Sequence, residues 1–182
     1  MKRAQFEHAV RAAGAILGVD EVLVIGSQAI HGTLAPPFPE AERSIEVDIA
    51  SLGEDAAQKA DLLDGSIGEL SMFQATFGYY AQGVVPETAV LPSGWRDRLV
   101  PYRSASTNGV TALCLEAHDL WISKAVAGRE KDRAFCRAMF THDLVNRDVL
   151  RARLRRVRPL PSEVRGLVAA LIERRAESDD PR

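Results

Sequence analysis

Glu46 and Asp48 stand one residue apart in the run Ser44-Ile-Glu-Val-Asp-Ile49. Its strict alternation predicts a strand with Ile45, Val47 and Ile49 on one face and Ser44, Glu46 and Asp48 on the other. Two carboxylates on one half-buried strand face repel each other, and that costs free energy unless a cation or water compensates. Mg²⁺ suits such a pair. It takes oxygen ligands, commonly one or two carboxylates plus substrate phosphates, and it can orient and neutralise a phosphoryl group under attack. The alternative is an edge strand whose polar face is hydrated.

Upstream, Val24-Ile-Gly-Ser-Gln-Ala-Ile30 reads as a strand end, a tight Gly-Ser turn and a helix start. Gly26 permits close backbone approach, and the Ser27 hydroxyl with the free N–H groups at the helix start can bind phosphate oxygens. Downstream, Asp119-Leu-Trp-Ile-Ser-Lys124 is followed by Gly128-Arg129-Glu-Lys131-Asp132. Lys124 is a compact charge for a phosphate and Arg129 can clamp another; otherwise these residues are ordinary surface ion pairs on two helices. A last cluster is Arg147, Arg151, Arg153, Arg155, Arg156 and Arg158, either a guide for an RNA or tRNA backbone or a solvated helix face.

In this order the motifs resemble the signature of the nucleotidyltransferase superfamily, on Gly26, Ser27, Glu46 and Asp48. The resemblance implies that the Gly-Ser turn holds the triphosphate and the acid pair holds Mg²⁺. The first acid is Glu46 where the superfamily usually has Asp, and the Ser27-to-Glu46 gap is long, running through a Pro-rich insert. The block from Asp119 to Asp132 looks like that of the toxin-type nucleotidyltransferases of the abortive-infection AbiEii group, which supplies a lysine for the phosphates and a catalytic aspartate; Lys124 and Asp132 fall on those positions. The phrases IGSQAI, SIEVDI, FGYYAQGV, ETAVLPSGW and DLWISKAVAGREKD also resemble a bacterial family of uncharacterised nucleotidyltransferase-like proteins over roughly residues 20 to 160.

The resemblance implies Glu46, Asp48 and Asp132 as catalytic residues, with Glu46 and Asp48 as the metal ligands. Gly26, Ser27, Lys124 and Arg129 become the nucleotide-binding set. Mg²⁺ is the implied cofactor and a nucleoside triphosphate the substrate, with an RNA, tRNA or protein hydroxyl as acceptor and, for a toxin, a cognate antitoxin as partner. Many active members add a third carboxylate from a neighbouring strand. Glu87 and Glu116 are candidates for it, with Asp132 as a substitute from the helical side. A non-catalytic nucleotide sensor or protein-interaction module on the same fold is the alternative.

The elements that position these residues follow from hydrophobic periodicity. Residues 2 to 17 read as an amphipathic helix stopped by Gly18, and 21 to 25 as a strand. Pro36, Pro37 and Pro39 predict an extended loop. Residues 54 to 73 read as a helix interrupted at Gly65, 77 to 103 as two or three strands, and 111 to 115 as one more. Helices are expected at 117 to 127, 129 to 142, 146 to 157 and 162 to 176. The last has Ser162 as N-cap and an apolar stripe of Val164, Leu167, Val168, Leu171 and Ile172. The expected fold class is α+β: a nucleotidyltransferase-like mixed sheet flanked by helices, with a C-terminal helical part. The corresponding division is a core over 1–115, a helical part over 116–176 completing the cleft, and a flexible tail over 177–182.

Composition agrees with phosphate chemistry. Residues 1 to 123 carry 8 Lys and Arg against 16 Asp and Glu, whereas 124 to 175 carry 14 against 6. The acidic front suits a hard cation and the basic back a polyanion. No apolar run is long enough for a membrane span and the N-terminus lacks a signal-peptide core, so a soluble, cytoplasmic protein is expected. Two cysteines and four scattered histidines disfavour a thiolate or imidazole metal site. Trp95, Trp121, Tyr79 and Tyr80 are expected to pack rather than bind.

Overall fold

The computed structural model describes residues 1–34 and 38–174. Helix α1 (Arg3–Leu17) buries Phe6, Ala9, Val10 and Ala13 at helical spacing and stops where Gly18 turns left-handed. Strand β1 (Glu21–Ile25) follows, then a six-residue 3-10 turn over Ser27–Gly32 in place of the α-helix expected there. Pro39 opens a short helix α2 (Pro39–Glu42) rather than extending the loop, because proline is tolerated at the first helical position. Pro36 and Pro37 lie outside the described residues. Strand β2 (Glu46–Ala50) starts one residue after Ile45, which is half-exposed instead of joining Val47 and Ile49 in the core.

Helix α3 (Ala56–Ile67) runs through Gly65 without interruption and ends at Gly68, and a separate helix α4 (Met72–Phe77) is capped by Ser71. The turn-rich stretch yields β3 (Tyr80–Gly83) and β4 (Val100–Tyr102), separated by 3-10 turns at Pro86–Thr88 and Trp95–Arg98. Strand β5 (Thr111–Cys114) completes a mixed sheet in the order β3-β2-β1-β5-β4. Helices α5 (Ala117–Ala127), α6 (Glu130–Thr141), α7 (Arg147–Arg155) and α8 (Ser162–Glu173) follow. Ser162 is the first helical residue after Pro161 and makes no cap bond, and Leu167 faces solvent. The tail expected to be flexible, 177–182, is outside the described residues. No helix among them is long and apolar enough to cross a membrane.

Strand register decides which side chains face which layer. A Cβ on Gly83 would strike the Ala60 backbone of α3, so α3 covers the face to which Gly83 points. Ile49 pairs with Gly83 and Val47 with Ala81, which puts Val47 and Ile49 on that face and Glu46 and Asp48 on the opposite one. There the 3-10 turn touches β1, β2, β4, β5 and α5. Both cysteines are buried in the core with neutral thiols, Cys114 being pushed up to about 12 by burial.

A buried carboxylate joins the helices to the loop before β4. Asp119 on α5 accepts from Arg98 Nε at 2.8 Å. Arg153 Nε of α7 lies 3.2 Å from its other oxygen. Burial pushes the Asp119 carboxyl up, and the two guanidiniums offset this only in part. Removing the shared acid leaves two largely buried cations without a carboxylate to balance them. Asp119→Ala is therefore expected to cost about 3 kcal/mol of stability, read as a lowered urea midpoint; an unchanged midpoint would show that the cluster contributes nothing net.

Candidate active site

The site begins where β1 ends. Ile25 pairs with Asp48 across the antiparallel β1–β2 ladder, so the turn leaving β1 passes over the acid pair. Gly26 has φ +71, and a Cβ there would sit 1.9 Å from Asp48 Oδ2. Backbone conformation and space therefore both require glycine. The following turn is locked from beneath. Gln28, fully buried, donates to Ala41 O at 2.9 Å, and Arg3 Nη1 donates to His31 O at 3.1 Å. His31 Nε2 lies 3.2 Å from Gln28 Oε1. Burial and the neighbouring Arg3 push the His31 imidazole down to about 4, so it is a neutral structural group near pH 7. Sequence reasoning gave Gln28 and His31 no such role.

Burial pushes the Asp48 carboxyl up to about 7, and repulsion from Glu46 adds to the effect, while Lys124 and Arg129 pull the other way. A carboxyl raised by burial beside a second acid marks a candidate site. Two carboxylates, a facing glycine without a side chain and a raised Asp48 carboxyl fit a hard divalent cation completed by substrate phosphates. Tyr80 donates from its hydroxyl to Glu46 Oε2 at 3.0 Å, and burial with the nearby Glu46 raises the phenol to about 12. Tyr80 thus touches the site, contrary to the expectation that it only packs.

The third carboxylate is not supplied by the neighbouring strand. Level with Glu46 and Asp48, β3 presents Tyr80 and Gln82, and Gln82 donates to both oxygens of Asp64. Glu116 caps α5, accepting from His118 N at 3.1 Å, and contacts the His118 ring. Burial raises that carboxyl, but the His118 bonds and charge outweigh it and hold it low. Glu87 lies exposed in the Pro86–Thr88 turn. Among the described residues no three His, Cys, Asp or Glu side chains are grouped to hold a metal. The acid pair is the whole protein contribution they offer.

Opposite the turn, α5 and α6 bring up the cations. Asp132, almost fully buried in the first turn of α6, contacts Lys124 Nζ at 3.3 Å and Arg129 Nε at 2.6 Å. Burial raises the Asp132 carboxyl, but Arg129 and Lys124 outweigh it and keep it below the usual range. Asp132 is therefore ionised near neutral pH and suited to orienting the two cations more than to accepting a proton. The Arg129 side chain is 59% exposed, at the rim. Its hydrogen bond to Asp132 raises its pKa first, and Asp48 and Glu46 raise it further. Ser27, Arg43, Ser44, Lys124, Lys131 and Asp132 line one cleft of about 220 Å³.

The candidate residues thus form two linked groups. Gly26 lies against Asp48, and Ser27 shares a cleft with Lys124 and Asp132. A family model described as nucleotidyltransferase of unknown function (DUF6036) matches residues 7–163. The chain belongs to this family. The match reaches from α1 into α8 and includes every candidate site residue of this nucleotidyltransferase-family protein. Searches of curated proteins and of solved structures gave no match. The family description supports the superfamily and, with it, a nucleotide as substrate; it does not extend to the abortive-infection group.

Two outcomes follow for the acid pair. Asp48 has an unfolded value near 3.8 and a folded value of about 7, so its contribution favours the fold at low pH and is lost as pH rises between those values. Asp48→Asn removes that loss. Without divalent cations its thermal midpoint should rise above the parent's progressively across that window and stay above it past neutrality; parallel midpoint profiles would contradict the repulsion. Gly26→Ala should lower the midpoint through strain on the order of 1–3 kcal/mol, and an unaltered midpoint would contradict the close approach to Asp48.

Proposed function

We propose that the protein is a Mg²⁺-dependent nucleotidyltransferase that moves a nucleoside monophosphate from a triphosphate to a hydroxyl of RNA, tRNA or protein. The observation that carries the proposal is the acid pair Glu46/Asp48 on one strand face, with the Asp48 carboxyl raised by burial and by the neighbouring Glu46 and with Gly26, which has no side chain, packed against it. Glu46 and Asp48 would hold the metal, which supplies charge neutralisation and orientation of the phosphates. Gly26 and Ser27 would bind the β- and γ-phosphates where the turn passes close to Asp48. Lys124 and Arg129 neutralise phosphate charge, and Asp132 orients them. The acceptor oxygen bonds to the α-phosphorus in line as the bond to the β-phosphate oxygen breaks; pyrophosphate leaves and the hydroxyl proton is released. The residues act by positioning and charge stabilisation.

A second reading is favoured by Tyr80 and Gln82 standing where a third carboxylate would come: a nucleotide sensor that binds without turnover. Purified protein incubated with Mg²⁺ and each α-labelled triphosphate, with total tRNA or total cell protein, separates the two. Transfer should label one acceptor fraction, vanish with a chelator, and fall about a hundredfold or more in Asp48→Asn and Lys124→Ala. Tight calorimetric binding of a non-hydrolysable triphosphate without any label would instead establish the sensor. A toxin held in check by a cognate antitoxin would arrest growth on induced expression, and Asp48→Asn would relieve the arrest.

A further inference from the structure

Six of the twelve residues from 147 to 158 are arginines, and the structure divides them into two groups. Arg147 donates to Ile172 O, Arg151 bridges Asp148 and Glu173, and Arg153 faces Asp119. Those three join α7 to α5 and α8. Arg155, Arg156 and Arg158 are exposed at the end of α7 and just beyond it, and the described residues give their side chains no ion pair or hydrogen bond. Together with Trp95 and Arg96 they line a depression of about 690 Å³, which Asp97 also borders. A second depression, of about 780 Å³, shares Arg155 and Arg158 and continues past Leu160 to Arg165. The two make one basic groove.

The groove is held in a fixed shape. Ser93 N donates to Arg156 O at 3.1 Å, and Arg98 Nη1 donates to Gly94 O at 2.7 Å. Arg98 and Arg153 then meet on Asp119. Asp119 is five residues before Lys124 on α5, about 7–8 Å along the helix axis, so the helix that carries the phosphate lysine also anchors both walls of the groove.

Five cations line the two adjoining depressions. Setting aside Arg165, whose Nη1 and Nη2 donate to Leu154 O and Val157 O, leaves four, more than one phosphate group needs and suited to a run of phosphates. All four are arginines, whose planar forks match phosphate oxygens in pairs. The Arg96 guanidinium lies over the half-buried Trp95 ring, 5.3 Å from its centroid, an arrangement of flat faces on which unpaired bases stack. An acidic peptide would use the charge but not those faces. We propose that this groove binds the backbone of single-stranded RNA, which would make RNA the acceptor class; only that last step rests on the transferase reading.

The test uses the full chain without triphosphate or Mg²⁺ and follows the fluorescence anisotropy of a short labelled RNA of mixed sequence over a range of KCl. Arg155→Ala/Arg158→Ala should weaken binding roughly tenfold and reduce the logarithmic salt slope by about 1.4, about 0.7 for each phosphate that is no longer neutralised. Lys2→Ala/Arg103→Ala removes equal charge from two exposed residues outside the groove and should bind as the parent does. Unfolding midpoints check that both pairs fold. Parental binding in the groove variant overturns the proposal, as does an equal loss in the control pair. Displacement of the RNA by polyglutamate as effectively as by unlabelled RNA also overturns it, in favour of an acidic protein partner. RNA binding without nucleotidyl transfer would overturn the catalytic reading alone, and triphosphate binding without RNA binding the groove alone.

Discussion

Asp48 and Glu46 stand half-buried on the same strand face, and burial together with the Glu46 charge makes the Asp48 charge harder to hold. Local packing does not relieve that repulsion. Gly26 brings backbone against Asp48 instead of a hydrogen-bonding side chain, and Tyr80 supplies a single hydroxyl to Glu46. A fold selected for stability alone would place apolar groups here, since a buried like-charge pair works against folding. The elements around the pair make sense as a means of keeping it in place. The β1–β2 register aligns Ile25 with Asp48, and Gln28, His31 and Arg3 fasten the turn from below.

The cations across the cleft are handled differently. Lys124 and Arg129 are not left to collapse onto the acid pair, because Asp132 takes both. Charges therefore alternate from the acid pair to the cations to the buried aspartate. Positive charge is thus already oriented, which on the proposed reading lowers the reorganisation needed when a nucleotide's phosphates arrive. Asp119 repeats the device lower on α5, where a second buried carboxylate holds two arginines from separate elements. Both acids sit on or beside the same helix, so α5 carries the electrostatic links between the sheet, the loop before β4 and the helices that follow.

The strands and helices that bear the candidate residues were legible because their signals are local. The β-branched run of β1, the alternation in β2 and the glycine after α1 each state their own structure, and β1 occupies the residues expected of it. The misplacements arise where a local pattern was extended past the point at which tertiary contacts take over. Alternation put Ile45 in the core, but the strand begins one residue later. Helical spacing put Leu167 in the stripe of α8, yet only Val168 and Ile172 are fully buried. Gly65 reads as a break in the sequence, yet α3 runs through it at a position where a Cβ would meet only open space.

What could not be read locally is the parallel pairing of β2 with β3, two strands thirty residues apart. That pairing decides which residues flank the acid pair on the side away from β1. It brings in Tyr80 and Gln82, neither of which carries a sequence signal for metal chemistry, while Glu87 falls in the turn after β3 and Glu116 is taken up as the cap of α5. The same holds for Trp95 and Arg96, which look like packing and turn residues until the end of α7 is folded against them. Arginine density marks a polyanion surface only after the arginines used in internal pairing are set aside, and that separation depends on Asp119, Asp148 and Glu173 lying where the fold puts them. Charge count names the ligand's sign; the three-dimensional pairing selects the side chains left to meet it.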